Sequence, residues 1–142
     1  MHSVVIADDR DSARTGLYLL LAGSGAYRVL GQASDGDEAL ALAGTLRPQL
    51  LVTDLKMPGL PVIEVARRLK EGDPSIKIVI LTAYDDCEDI YLAAGAGVDG
   101  YLMKDTDPEE ILAAIGQVME GRVFFQAREN ASGVGREMRE TP

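Results

Sequence analysis

Apolar residues fall along this chain in two alternating rhythms. Short continuous runs occupy 3–7, 27–33, 50–53, 76–81 and 99–103, and between them apolar positions recur every three or four residues. The runs are too short for helices and are bounded by Gly, Pro, Asp and Ser, so they predict five strands. The second rhythm predicts five helices. Leu17, Leu20 and Leu21 mark the first, which Gly23 and Gly25 end. Asp35-Gly36-Asp37-Glu38 opens the second, which runs through Leu42 and closes before Pro48. Val62, Val65, Ala66 and Leu69 share one face of the third, ended by Gly72-Asp73-Pro74. The fourth covers 86–94 and leaves through Gly95 and Gly97. The fifth has a cap at Asp107, Pro108 at its first position and two glutamates where the helix dipole favours acids. Its stripe is Ile111, Leu112, Ile115, Val118 and Met119.

Strand then helix, five times over, predicts an α/β doubly wound fold, a parallel sheet with helices on both faces. Periodicity fades after about Phe125. The segment 125–142 gains Gly, Ser, Arg and Glu and reads as a linker or flexible tail behind one domain at 1–124. A chain of 142 residues is long enough for one domain with a substantial core. The formal net charge is −9, and 126–142 carries three Arg and three Glu, so the acidic excess lies in the domain. Such a body excludes non-specific binding to a phosphate backbone and favours a basic partner or a bound cation. Cys87 is the single cysteine, which rules out an internal disulfide. With no signal peptide and no apolar run of membrane-span length, the expectation is a cytoplasmic protein without a membrane partner.

In open α/β sheets, ligands bind beyond the carboxyl ends of the strands, where the strand order reverses. Asp8 and Asp9 follow the first strand, Asp54 ends the third, Thr82 the fourth and Lys104 the fifth. Three carboxylates, a hydroxyl and an ammonium thus point at one edge. Close carboxylates repel one another and call for a divalent cation. An all-oxygen donor set favours Mg²⁺ or Mn²⁺ over zinc. Mg²⁺ keeps waters and shares its shell with phosphate oxygens, which points to phosphoryl chemistry. Asp54, alone at the tip of a central strand, is then the candidate nucleophile, with Thr82 and Lys104 binding the remaining phosphoryl oxygens. The turn Lys56-Met57-Pro58-Gly59 swings the chain aside and exposes the Lys56 backbone carbonyl as a further metal ligand.

These residues resemble the receiver domain of bacterial two-component response regulators. The resemblance rests on Asp8-Asp9, the DLKMPG stretch around Asp54, Thr82-Ala83, and Tyr101 three residues before Lys104, and it covers roughly 3–122. It implies a flavodoxin-like fold with a five-stranded sheet of order 2-1-3-4-5. It also implies phosphoryl transfer to Asp54 from a phosphohistidine on a sensor histidine kinase. Mg²⁺ would be held by Asp9, Asp54 and the Lys56 carbonyl and supported by Asp8. The implied switch moves Thr82 toward the phosphate and Tyr101 inward, and so remodels the surface of the fourth helix, fifth strand and fifth helix. The stretches GQASDGDEAL and YLMKDTDPEEILAAI, with Asp105 after the lysine, resemble the LuxR/NarL-type subgroup. That subgroup implies transcriptional output through a C-terminal helix-turn-helix domain. DNA would be met only through that domain, and phosphorylation would favour a homodimer. Pro61-Val62 departs from the Asp-Gly usual after Leu60 in the family.

Each residue also has a plainer reading. Asp8-Asp9 alone suits a helix start, Thr82 a strand, Lys104 a solvated face and Tyr101 core packing. Lys56 and Tyr84, two residues past Asp54 and Thr82, read either as surface side chains or as a screen slowing hydrolysis of the acyl phosphate. Two other functions compete with the signalling receiver, which is not an enzyme in its own right. One is a stand-alone module acting by protein–protein contact. The other is an aspartyl-phosphate phosphohydrolase, disfavoured because such enzymes place a second Asp where Lys56 stands.

Overall fold

A computed structural model describes residues 1–84, 86–127 and 136–140. The five predicted strands and five helices are all present. They are β1 (His2–Ala7), α1 (Asp11–Gly23), β2 (Tyr27–Ala33), α2 (Gly36–Leu46), β3 (Leu50–Thr53), α3 (Val62–Gly72), β4 (Lys77–Thr82), α4 (Cys87–Gly95), β5 (Gly100–Met103) and α5 (Pro108–Met119). Two strands follow, β6 (Val123–Ala127) and β7 (Arg136–Glu140). The sheet order is β2-β1-β3-β4-β5-β6-β7. It contains the expected flavodoxin-like order 2-1-3-4-5 and extends it. β6 runs parallel to β5, and β7 is antiparallel to β6. The expected boundary after residue 124 falls inside β6, and 128–135 and 141–142 lie outside the described residues. No helix among the described residues is long and apolar enough to cross a membrane.

The period of two along each strand sorts the core into two layers. Val5, Ala7, Leu51, Ile78 and Ile80 pack with Ala39 and Ala43 of α2, Val65, Ala66 and Leu69 of α3, and Ala93 of α4. Val4, Ile6, Leu50, Val52, Val79 and Leu81 face Leu17 and Leu21 of α1 and Ile111, Ile115 and Val118 of α5. Both faces are therefore covered, as the near-continuous aliphatic strands require.

Caps fix where the helices start. The Asp35 side chain accepts from the Glu38 N–H at 2.7 Å, and Glu38 reaches back to accept from the Ser34 N–H at 2.7 Å. The Asp107 side chain accepts from the Glu109 N–H at 3.0 Å, with Pro108 behind it. Pro61 occupies the cap position of α3, so the departure at Pro61-Val62 leaves that helix starting at Val62 with no side-chain cap.

Candidate phosphoacceptor site

A parallel sheet brings the C-terminal ends of its strands to one edge. The Asp54 N–H donates to the Ala7 carbonyl at 2.9 Å, which sets the end of β3 beside the end of β1. One carboxylate oxygen from each of Asp8, Asp9 and Asp54 lies within 4.8 Å of the others. Asp8 and Asp54 are nearly buried and Asp9 is exposed. Lys104, delivered by the end of β5, places its Nζ 2.6 Å from Asp8 Oδ2 and 3.0 Å from Asp54 Oδ2. Burial works against the Lys104 charge, but the hydrogen bonds and charges of Asp8 and Asp54 outweigh it and hold its pKa above the ordinary lysine value.

The acids differ in how far they are already engaged. Asp8 uses both oxygens, accepting from the Arg10 N–H at 3.0 Å through Oδ1 and from Lys104 through Oδ2. Asp54 Oδ1 accepts from the Leu55 N–H at 2.7 Å, which orients the carboxylate. One ammonium against three carboxylates leaves the cluster short of positive charge, and every donor is a hard oxygen. That set fits Mg²⁺ or Mn²⁺. A cleft of about 200 Å³ beside Asp8, Asp54 and Lys104 is walled by Leu17, Leu20 and Leu81.

Thr82 is fully buried at the end of β4. Its Oγ1 accepts from the Tyr84 N–H at 3.3 Å, and its carbonyl accepts from the Lys104 N–H at 2.8 Å. Tyr101 is 0% exposed: its ring already lies inside, donating from its hydroxyl to the Tyr84 carbonyl at 2.8 Å. Lys56 Nζ lies 3.2 Å from Asp89 Oδ2 and 5.7 Å from the centre of the Tyr84 ring. Lys56 and Tyr84 therefore meet each other, and α4 supplies the partner acid. The Lys104–Asp105 peptide is trans.

Three features escaped the sequence. Asp89 sits on α4 without any local pattern to mark it. Gln126 accepts from the Met103 N–H and the Thr106 hydroxyl, both at 2.9 Å, across the new strand β6. The start of α2 clamps the turn after Asp54: the Gly36 N–H donates to the Pro58 carbonyl at 3.0 Å, and Asp37 accepts from the Leu60 N–H at 3.1 Å. A Cβ on Gly36 would stand 1.9 Å from the Leu60 carbonyl oxygen, so only glycine permits this approach. The Gly36-Asp37 dipeptide at a helix start was the available signal.

The family described as the response regulator receiver domain matches residues 4–116. The nitrate/nitrite response regulator protein NarL of Escherichia coli (strain K12) is 36% identical over 123 residues, covering 87% of this chain and 57% of NarL. This chain thus spans less than two thirds of the length of such curated relatives. The signal receiver domain of the response regulator NarL from Mycobacterium tuberculosis gives a TM-score of 0.81 at 31% identity, over 85% of this chain and 98% of that one. A LuxR-family two-component response regulator from Aurantimonas sp. SI85-9A1 gives 0.84 at 29% identity, over 94% of each chain.

Proposed function

The chain belongs to the response regulator receiver domain family, and from that premise we propose that it takes a phosphoryl group on Asp54 from a phosphohistidine of a sensor histidine kinase. One observation carries this function: Asp54 stands at a strand tip with Lys104 at 3.0 Å and with Asp8 and Asp9 inside the same 4.8 Å cluster. A carboxylate oxygen of Asp54 forms the new O–P bond as the P–N bond breaks, and the electron pair leaves with the imidazole. Lys104 turns from the carboxylate to a phosphoryl oxygen, and the Thr82 hydroxyl donates to another. Asp9, Asp54 and the Lys56 carbonyl would hold Mg²⁺ or Mn²⁺, with Asp8 behind them. That ion, when bound, offsets the negative charge of the transferring group. Lys56 and Tyr84 screen the acyl phosphate from water, and the receiver takes part in its own dephosphorylation.

Output follows from the same contacts. Thr82 is tied to Tyr84 and Lys104, and Tyr84 to Tyr101, so a phosphoryl group held by Thr82 and Lys104 biases the α4-β5-α5 surface. The LuxR-family likeness supports transcriptional output through a C-terminal helix-turn-helix domain, reached by homodimerisation on phosphorylation. In this scheme the receiver runs through the end of β6 at Ala127 rather than stopping at residue 124.

The test is mass spectrometry after incubation with acetyl phosphate and Mg²⁺. Wild type gains one phosphoryl group, and Asp54→Asn gains none. An unmodified wild type, or a gain retained in Asp54→Asn, overturns the proposed function.

A further inference from the structure

β6 pairs with β5 only at Gly100↔Phe124 and Tyr101↔Phe125. Beyond that point the ladder would leave the Met103 N–H without an acceptor, and the Gln126 side chain supplies one. Its Oε1 accepts from the Met103 N–H and from the Thr106 hydroxyl, both at 2.9 Å. These two donors bracket Lys104. From the other side, the Lys104 N–H is tied to the Thr82 carbonyl at 2.8 Å. The loop that carries the ammonium to Asp8 and Asp54 is therefore held by β4 on one flank and by the Gln126 oxygen on the other, with the Thr106 N–H closing the turn onto the Met103 carbonyl at 3.1 Å. Next to Gln126, Phe125 stacks on Tyr101 with ring centres 6.0 Å apart. A crevice of about 280 Å³ opens beside Gln126, between Glu110, Gln117 and Thr106. The side chain borders this open space on one side, and its two hydrogen bonds orient it toward Met103 and Thr106.

We infer that Gln126 is a positioning residue for Lys104, and that through it the segment following α5 sets how readily Asp54 takes up a phosphoryl group. This deepens the proposed function and rests on it. Displacing a charge-bearing loop by a fraction of an ångström weakens stabilisation of the developing phosphoryl charge without touching the nucleophile.

Three variants and two readouts test it in the full chain with acetyl phosphate and Mg²⁺. Gln126→Met removes the acceptor of both hydrogen bonds at similar size and slows phosphorylation about fivefold, part of what two ordinary hydrogen bonds are worth. Gln126→Glu keeps an acceptor oxygen and restores most of the rate. In a Lys104→Met background, Gln126→Met has no further effect, because the two act as one unit. Independently of phosphorylation, amide exchange at both Met103 and Lys104 speeds up in Gln126→Met. A Gln126→Glu rate as low as that of Gln126→Met, full additivity with Lys104→Met, or unchanged Lys104 exchange would each overturn the inference. Should wild type take up no phosphoryl group, the proposed function fails, and the exchange data alone decide whether Gln126 positions Lys104.

Discussion

Tyr27 opens β2 at the end of the sheet opposite the acidic cluster and is 6% exposed. Burial disfavours its phenolate and pushes its pKa above the ordinary value of 10.0. The folded chain then holds this proton more tightly than the unfolded chain. Its contribution to stability is complete below pH 10 and declines as pH rises past 10 toward the raised folded value. In urea titrations, Tyr27→Phe should flatten the fall in stability above pH 10 relative to wild type, and identical alkaline slopes would refute the assignment. The residues that bring charge or a hydroxyl to the acidic edge were legible because each stands where an apolar run stops: Asp8, Asp54, Thr82 and Lys104 have nowhere to go but the strand ends. Asp89, Asp37 and Gln126 were not, since each finds its partner on a different element, and no local periodicity encodes such a meeting. Tyr101 was legible as a strand residue, whereas its inward ring depends on the Tyr84 carbonyl across the sheet.

Among the helices, α4 is the least anchored. Of its nine residues only Ala93 is buried, while Tyr91 is 78% and Leu92 43% exposed. α3, by contrast, buries Val62, Val65, Ala66 and Leu69. The Lys56 ammonium ties α4 to the loop after Asp54, and at 3.2 Å it is an ion-pair partner for Asp89 Oδ2, which takes no hydrogen bond. Local opening needs little energy where few apolar contacts break. Hydrogen exchange read by mass spectrometry should therefore show α4 exchanging faster than the other four helices. Lys56→Met should speed α4 by about two- to fivefold, the worth of a partly exposed ion pair. Protection of α4 equal to that of α3 would contradict this ranking. The same alternation that made five strands readable also held the signal for a sixth. Gly121 turns the chain at φ 100°, and Val123-Phe124-Phe125 is another apolar run after a helix. The Arg, Glu and Gly that follow masked it and the edge strand β7 beyond it, because a strand at a sheet edge needs less apolar character than one buried on both faces.

For the molecule as a whole, folding gathers three carboxylates at one edge of a chain whose net charge is already −9. Lys104 offsets part of that repulsion, so a divalent cation that binds only the folded cluster should stabilise the entire fold. At ten times its dissociation constant, such an ion adds about 1.4 kcal/mol. For a chain of 142 residues, that raises the thermal midpoint by roughly 5 °C. Screening by salt also relieves repulsion, and a NaCl control of equal ionic strength removes that contribution. Asp9 separates binding from general electrostatics. It is exposed, and no hydrogen bond to its side chain is seen among the described residues, so Asp9→Asn should fold as well as wild type. Losing one repelling charge should, if anything, raise its midpoint without added metal. Its response to MgCl₂ should shrink to that of NaCl. A response as large as wild type's would mean that the three acids do not share one ion, and the metal-assisted route to Asp54 would fall with it.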